Sequence, residues 1–332
     1  MNSQPAAVQF KDRKAGLVIF GILTVMMGAV CALFVPLAIF AQTVSAKPTG
    51  ASPSYHVIVP AIVTYSGLAM MLIWLGIGSI KARRWARALL LILSWSWLLV
   101  GILSFVVMAF MAPQFLQAIE AAQRSGQPEL SPAAKSIILL IPALMLLLIF
   151  LVLPLIWLLF YQSEHVRATC EARDPVVRWT DRCPLPVLAV SLWLAFGALA
   201  MLIMPLAYHG VFPLFGMFAF GALGTALYLA LAVVWAYSAY ALYKLDRRGW
   251  WLIVAALCFF SASCVITYSR HDPMESYRLM GYAEEQIAQI HRFSFFKRGS
   301  MASASFLYTL PFLGYLLYIR KFFRHVETEN LT

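Results

Sequence analysis

The sequence has few charged residues, and none of them lies in its long hydrophobic runs. Only 12% of the 332 residues are charged, whereas 62% are hydrophobic and the mean hydropathy is +0.80. A typical soluble domain has about a quarter of its residues charged. A soluble globule of this length cannot bury so much apolar surface, because burial reaches only about three-quarters of the chain's area. The composition therefore excludes a soluble enzyme and a disordered tail, and it indicates a polytopic membrane protein.

Cysteine pairs and catalytic motifs are also missing. The five cysteines form no CxxC pair, and the sequence has no Walker A loop, GxGxxG, HExxH or GxSxG pattern. We therefore predict that the chain is not an enzyme and that it has no catalytic residues and no cofactor.

Eight uncharged runs are long enough to cross a bilayer, which takes about 20 residues of helix. They predict an all-α integral membrane protein with eight transmembrane helices. The sixth run would form a helix of about 50 Å, so we expect its start at 211–215 or its Trp/Tyr-rich end to lie outside the bilayer core. The runs are Ala15–Ala41, Val57–Ile80, Ala88–Ala112, Ser136–Gln162, Leu185–Tyr208, Val211–Tyr243, Gly249–Ser269 and Gly299–Ile319.

Basic residues are divided unequally between alternate loops. Of the 25 Lys and Arg residues, 17 lie in residues 11–14, 81–87, 167–182, 244–248 and 320–324. The positive-inside rule places that side in the cytoplasm, together with both termini, and we predict a bacterial cytoplasmic (inner) membrane. The net charge of +11 then reflects topology. It predicts anionic lipids on the cytoplasmic side as partners and argues against nucleic acid.

The two halves of the sequence resemble each other. Residues 28–38 and 197–207 share six of eleven residues, including a Gly and a Pro eight positions apart, and a basic segment with a Trp follows the second run of each half. We predict two tandem four-helix halves, 1–162 and 185–332, joined by a cytoplasmic linker, 163–184. Pro36 and Pro205 would be matched hinges, facing each other across an axis along the membrane normal.

Two groups of side chains are candidate metal ligands. His56, His209 and His271 fall at the predicted outer boundary, where neutral imidazoles could bind a metal or haem. Helix capping by these histidines is the competing interpretation. The linker carries His165, Cys170 and Cys183, which could bind zinc together with an Asp, although thiolate sites usually contain paired cysteines.

The linker also has a purely structural interpretation. Its four acids could pair with its four arginines, with Trp179 at the lipid headgroups. The segment 173–188, RDPVVRWTDRCPLPVL, resembles one found in uncharacterised bacterial polytopic membrane proteins. This resemblance implies a class of membrane protein and no activity.

Two outer segments have amphipathic patterns at matching positions in the two halves. They are 113–125 and 282–291, and a helix start at Asp272-Pro273 precedes the second. We expect surface helices there, and a lid or partner platform is the alternative.

Three functions remain open at this stage. The first is a non-enzymatic scaffold, sensor or accessory subunit. The second is a permease or channel for a small neutral or apolar solute, since the absence of intramembrane charges argues against ion-coupled transport. The third is a metal- or haem-binding redox protein.

Overall fold

The computed structural model describes residues 11–46, 55–124, 131–291 and 298–323, and these residues are almost entirely helical. Eight helices are long and apolar enough to cross a membrane. The all-α prediction and the number of apolar spans are confirmed. In chain order the helices and strands are α1 Lys14–Ala46, α2 Tyr55–Ile80, α3 Arg84–Arg124, α4 Pro132–Leu147, α5 Leu153–Gln162, α6 Glu164–Arg173, α7 Leu185–Ala207, β1 Phe212–Leu214, β2 Met217–Ala219, α8 Gly221–Tyr243, α9 Arg247–Arg270, α10 Pro273–Leu279, α11 Glu284–His291 and α12 Arg298–Ile319.

The described chain divides into two compact units. The first unit holds residues 11–46 and 61–182, with a gap at 125–130, and the second holds residues 55–60 and 183–323, with a gap at 292–297. The boundary at 182/183 lies at the end of the predicted linker. Most of the linker therefore packs with the first unit.

The fourth span contains one turn of π-helix. Residues Leu148–Val152 join α4 to α5, and the Leu153 N–H donates to the carbonyl of Leu148, five residues back. Pro154 has no N–H to donate, so an α-helical bond to Phe150 is impossible, and the wider turn accommodates this loss. Gly101 of α3 packs directly on the Phe150 carbonyl, where a Cβ would overlap the oxygen.

The first amphipathic segment is a continuation of α3. Pro113 lies inside this helix, which runs on to Arg124. The expected separate surface helix at 113–125 is therefore wrong for residues 113–124, and residue 125 lies outside the described residues. Proline removes one hydrogen bond and kinks a helix without necessarily ending it.

The sixth hydrophobic run contains two different structures. Its first residues form a β-hairpin, in which β1 pairs with β2 in antiparallel register from Phe212–Ala219 to Leu214–Met217, and α8 begins at Gly221. The run was too long for one span because its first ten residues are not part of the helix.

The turns after α2 and after α8 have the same geometry. Ala82 and Leu245 both have positive φ, 51° and 59°. The following N–H bonds five residues back in each case, Arg83 to Gly78 and Asp246 to Ala241. These bonds are typical of the Schellman motif, in which the left-handed residue is usually Gly.

Candidate functional site

The linker is fastened to the start of α3 by a group of charged side chains, which we call the linker cluster: Arg83, Arg84, Asp174, Arg178 and Asp181. Asp174 is buried, and its carboxylate accepts two hydrogen bonds from Arg178, at 2.9 and 3.3 Å, and one from Arg83 at 3.4 Å. Asp181 accepts the Arg178 backbone N–H at 2.9 Å and lies 3.3 Å from Arg84 Nε. The linker acids thus pair both within the linker and with arginines outside it.

This pairing determines the protonation of Asp174. The hydrogen bonds from Arg178, with help from the backbone N–H of Arg84 and the charge of Arg83, lower the pKa of the Asp174 carboxyl below its usual value. The carboxylate therefore stays ionised, as a buried anchor surrounded by cations.

The candidate zinc ligands of the linker occupy different surroundings. Cys170 is buried on α6, and burial raises the pKa of its thiol to about 11. Burial also raises the pKa of the Cys183 thiol to about 11, and this thiol donates weakly to the Pro184 carbonyl at 3.7 Å. His165 lies on the exposed side of α6 and its carbonyl accepts from Thr169. Both thiols stay protonated at neutral pH, unlike zinc-binding thiolates.

Three side chains at and just beyond the C-terminal end of α9, spaced four residues apart in the sequence, hold the β-hairpin. We call this group the hairpin clamp: Ser263, Thr267 and His271. Ser263 Oγ accepts the Phe215 N–H at 3.0 Å and donates to the Pro213 carbonyl at 2.9 Å. Thr267 Oγ1 accepts the Gly216 N–H at 2.9 Å, and His271 Nε2 lies 2.8 Å from the Gly216 carbonyl. Ser263 and Thr267 lie four residues apart and share one face of α9, and His271 follows the last residue of the helix. The C-terminal end of α9 thus satisfies the polar backbone of the hairpin tip.

Apolar packing and close backbone contacts fix the base of the hairpin. Phe212 and Phe218 are buried, and the Tyr228 hydroxyl of α8 donates to the Val211 carbonyl at 2.9 Å. Gly224 lets α8 lie directly against the carbonyl of Gly210, where a Cβ could not fit. The hairpin is therefore a packed part of the second unit.

Among the described side chains, the candidate histidines are not brought into a metal site. Across residues 11–46, 55–124, 131–291 and 298–323, no three His, Cys, Asp or Glu side chains are placed to hold one ion. His209 has φ 52° in the turn before β1. His271 has an oxygen 2.8 Å from each ring nitrogen, its other partner being Glu275 Oε2. His56 lies on α2, and its side chain is outside the described residues.

Several hydroxyl groups inside the spans bond to neighbouring helices, while others, such as Ser94, donate to the carbonyl four residues back in their own helix. Ser79 of α2 donates to Leu17 of α1 and contacts the Tyr161 hydroxyl at 2.7 Å. Other such pairs are Trp157 with Thr24, Ser191 with the Ala239 carbonyl, and Thr309 with Ser261. Pro36 and Pro205 lie inside α1 and α7, and their role as hinges stays a prediction.

Cations lie on aromatic rings at the basic end of the second unit. The Arg320 guanidinium is 5.3 Å from the Trp250 ring and 5.8 Å from the Trp251 ring. Lys321 lies 4.0 Å from the Tyr318 ring, and the Trp250 indole N–H donates to the Leu316 carbonyl. Aromatic and basic side chains together are typical of the headgroup region of a membrane.

We compared the chain with models of protein families, with curated proteins and with solved structures, and none of them matches. The hairpin clamp, the linker cluster and the spans are therefore the features that bear on function.

Proposed function

We propose that this chain is a non-enzymatic, multi-pass membrane protein that acts as a sensor, scaffold or accessory subunit. The hairpin clamp would be the element that responds to a signal, and the linker cluster would hold the linker against the start of α3 in the first unit. We further propose that the basic ends face the cytoplasm of a bacterial cell, that both termini lie there, and that the two halves arose by tandem duplication. The resemblance of segment 173–188 to bacterial polytopic proteins agrees with this location.

One observation carries the proposal: several buried polar side chains in the spans join neighbouring helices. Ser79, Tyr161, Thr24 and Ser191 are buried or largely buried and have partners inside the protein. A solute pathway needs polar groups that exchange their partners for the solute, whereas paired hydroxyls stabilise helix contacts. This supports a structural or signalling role over the permease alternative.

Purified protein in liposomes tests this proposal directly. We expect vesicles containing the full chain to take up a panel of small neutral solutes, such as glycerol and urea, at the rate of protein-free vesicles. Stopped-flow light scattering measures the rate. Uptake that rises with the amount of protein would overturn the proposal and favour the permease.

Anionic lipids are the proposed partners at the basic end. The Arg320, Trp250 and Trp251 arrangement supports this, because it places a cation beside two indoles at the end of a span. We expect native mass spectrometry to detect more retained phosphatidylglycerol than phosphatidylcholine. Arg320→Gln should reduce the excess, whereas Arg167→Gln, which removes a cation already paired with Glu171, should change it less. Equal retention of the two lipids would contradict the proposal.

The orientation can be tested with an impermeant maleimide. Cys170 and Cys183 are buried and their thiols are protonated at neutral pH, so we expect a low background from them. In right-side-out cells, Met217→Cys at the exposed hairpin tip should be labelled, and Lys81→Cys should be labelled only after lysis. The reverse pattern would place the basic end outside.

A further inference from the structure

The two hydrogen bonds of the His271 ring need more hydrogens than a neutral imidazole beside an ionised glutamate can supply. Nε2 lies 2.8 Å from the Gly216 carbonyl, which can only accept, so Nε2 must carry a hydrogen. Nδ1 lies 2.8 Å from Glu275 Oε2, and an ionised carboxylate can also only accept. A neutral imidazole has a single N–H, so the two contacts together require one additional proton.

We propose that His271, Glu275 and the Gly216 carbonyl form a proton-binding latch that holds the hairpin tip against α9. The ligand is a proton, taken up by the imidazole from water on the hairpin side. The latch supplies the signal to which the proposed sensor responds, and to that extent it rests on the proposed function.

Acidic and basic side chains both lie near the latch. Glu275 contacts the ring, the Asp272 carboxylate caps α10 by accepting the Met274 N–H, and His271 follows the C-terminus of α9, where the helix dipole stabilises a cation. Arg270 opposes the charge, since its guanidinium lies beside Gly216. The hairpin residues 212–219 have no titratable side chain. The other titratable groups nearby on α9 and α10 are Tyr268, which contacts Phe218, Tyr277, which contacts Tyr282, and Arg278, which is paired with Glu284.

Loss of the proton breaks one of the two contacts. The imidazolium gives one proton to water and keeps one N–H. A hydrogen bond to a carboxylate is about twice as strong as one between neutral groups, so the remaining N–H stays on Nδ1, facing Glu275. The lone pair on Nε2 then faces the Gly216 oxygen, and the two repel. Of the clamp's hydrogen bonds to the tip, those of Ser263 and Thr267 remain, so the hairpin opens more often.

Hydrogen exchange of the full chain in lipid nanodiscs tests the latch. The probe is a peptide covering 212–219, compared at about pH 5.5 and pH 8, on either side of ordinary histidine titration, with intrinsic exchange rates corrected. We expect the protection of this peptide to fall several-fold at the higher pH. Equal protection at the two pH values would overturn the latch.

Two variants separate the latch from general effects of pH. In Glu275→Gln the amide can donate to Nδ1, so a neutral His271 keeps its Nε2 hydrogen on Gly216 and protection should stay high at both pH values. The matched control, Glu284→Gln, removes an acid that pairs with Arg278 at the same end and should keep the wild-type pH dependence. Wild-type pH dependence in Glu275→Gln would also overturn the latch. Solute uptake by liposomes, by contrast, would remove the proposed function and leave this exchange result standing.

Discussion

The donor and the acceptor of two hydrogen bonds in the first unit can be assigned from the chemistry of the groups involved. Ser79 Oγ lies 3.0 Å from the Leu17 carbonyl, which only accepts, so the serine donates there and must accept from Tyr161 at 2.7 Å. Ser79 is 1% exposed and Tyr161 is fully buried. The Tyr161 hydroxyl therefore donates to Ser79, and Ser79 donates to the backbone of α1.

This assignment of donors predicts that mutations of Tyr161 and Ser79 lower the free energy of unfolding by different amounts. Tyr161→Phe removes one donor and should lower the free energy of unfolding by about 0.5–1.5 kcal/mol, whereas Ser79→Ala leaves a buried phenol unpaired and should cost about 1–3 kcal/mol. Equilibrium unfolding in detergent measures both. The double variant should be no less stable than Ser79→Ala, and a larger loss for Tyr161→Phe alone would contradict the assigned order.

Asp174 is the residue on which the linker cluster depends. Asp174→Asn removes the negative charge but keeps the shape, leaving Arg178 and Arg83 without their ionic partner. Because both arginines are partly exposed, we expect a loss of about 1–3 kcal/mol. Glu164→Gln on the exposed side of α6 is the control and should change the unfolding free energy by less than about 0.5 kcal/mol.

The effect of Asp174 should depend on pH. Its carboxyl pKa is lower in the folded protein than its ordinary value, so its contribution is complete above about pH 4, near the unfolded pKa. The contribution is lost as the pH falls through the folded pKa. The stability difference between wild type and Asp174→Asn should therefore be constant near neutral pH and shrink below about pH 4. A difference that grows on acidification would contradict this assignment.

At the scale of the helices, α3 packs against the backbone of the fourth span at Gly101. Gly101→Ala would place a Cβ on the Phe150 carbonyl, so the π-turn and α3 must move apart, at a cost of about 1–3 kcal/mol. Gly67→Ala on α2 is the matched control, since no atom lies within 4 Å of the place that its Cβ would take. It should be neutral or stabilising by up to about 1 kcal/mol. Thermal unfolding in one detergent compares the two.

The sequence predicts most of the helices because hydropathy and the absence of charge define them directly. It also predicts the helix start at Asp272-Pro273, where Asp272 accepts the Met274 N–H at 3.0 Å. It does not predict the hairpin, because Val211–Phe220 is as apolar as the span that follows and has no charge to mark the boundary. The partners of Ser263, Thr267 and His271 are about 50 residues away in sequence, so the spacing of four gave no sign of what they bind.

For the whole molecule, the two Schellman turns support the proposed duplication. Non-glycine residues in this conformation cost about 1–2 kcal/mol, yet Ala82 and Leu245 both adopt it at corresponding places in the two units. Gly28 and Gly197 also correspond, since each packs against the next span of its own unit, at Ala69 and Ile73 and at Trp235.

Because Ala82 and Leu245 have the same strained backbone conformation, we expect the two turns to respond alike to substitution. Ala82→Gly and Leu245→Gly should each be neutral or stabilising by up to about 1 kcal/mol, because relief of the positive φ offsets the greater freedom of glycine in the unfolded chain. Leu245→Val should destabilise, since a β-branched residue is disfavoured at positive φ. The measurement is again equilibrium unfolding. A marked loss on glycine substitution in one unit and a gain in the other would show that the turns are not equivalent.

The hairpin also dictates an order of events during synthesis. The backbone N–H groups of Phe215 and Gly216 need acceptors that lie on α9, 48 and 51 residues later in the chain. While the ribosome is still making α8, these groups have only water or lipid headgroups as partners. A chain stopped before α9 should therefore keep its hairpin segment at the membrane surface. Once α9 has been made, Ser263 and Thr267 supply the acceptors and the hairpin can pack into the second unit.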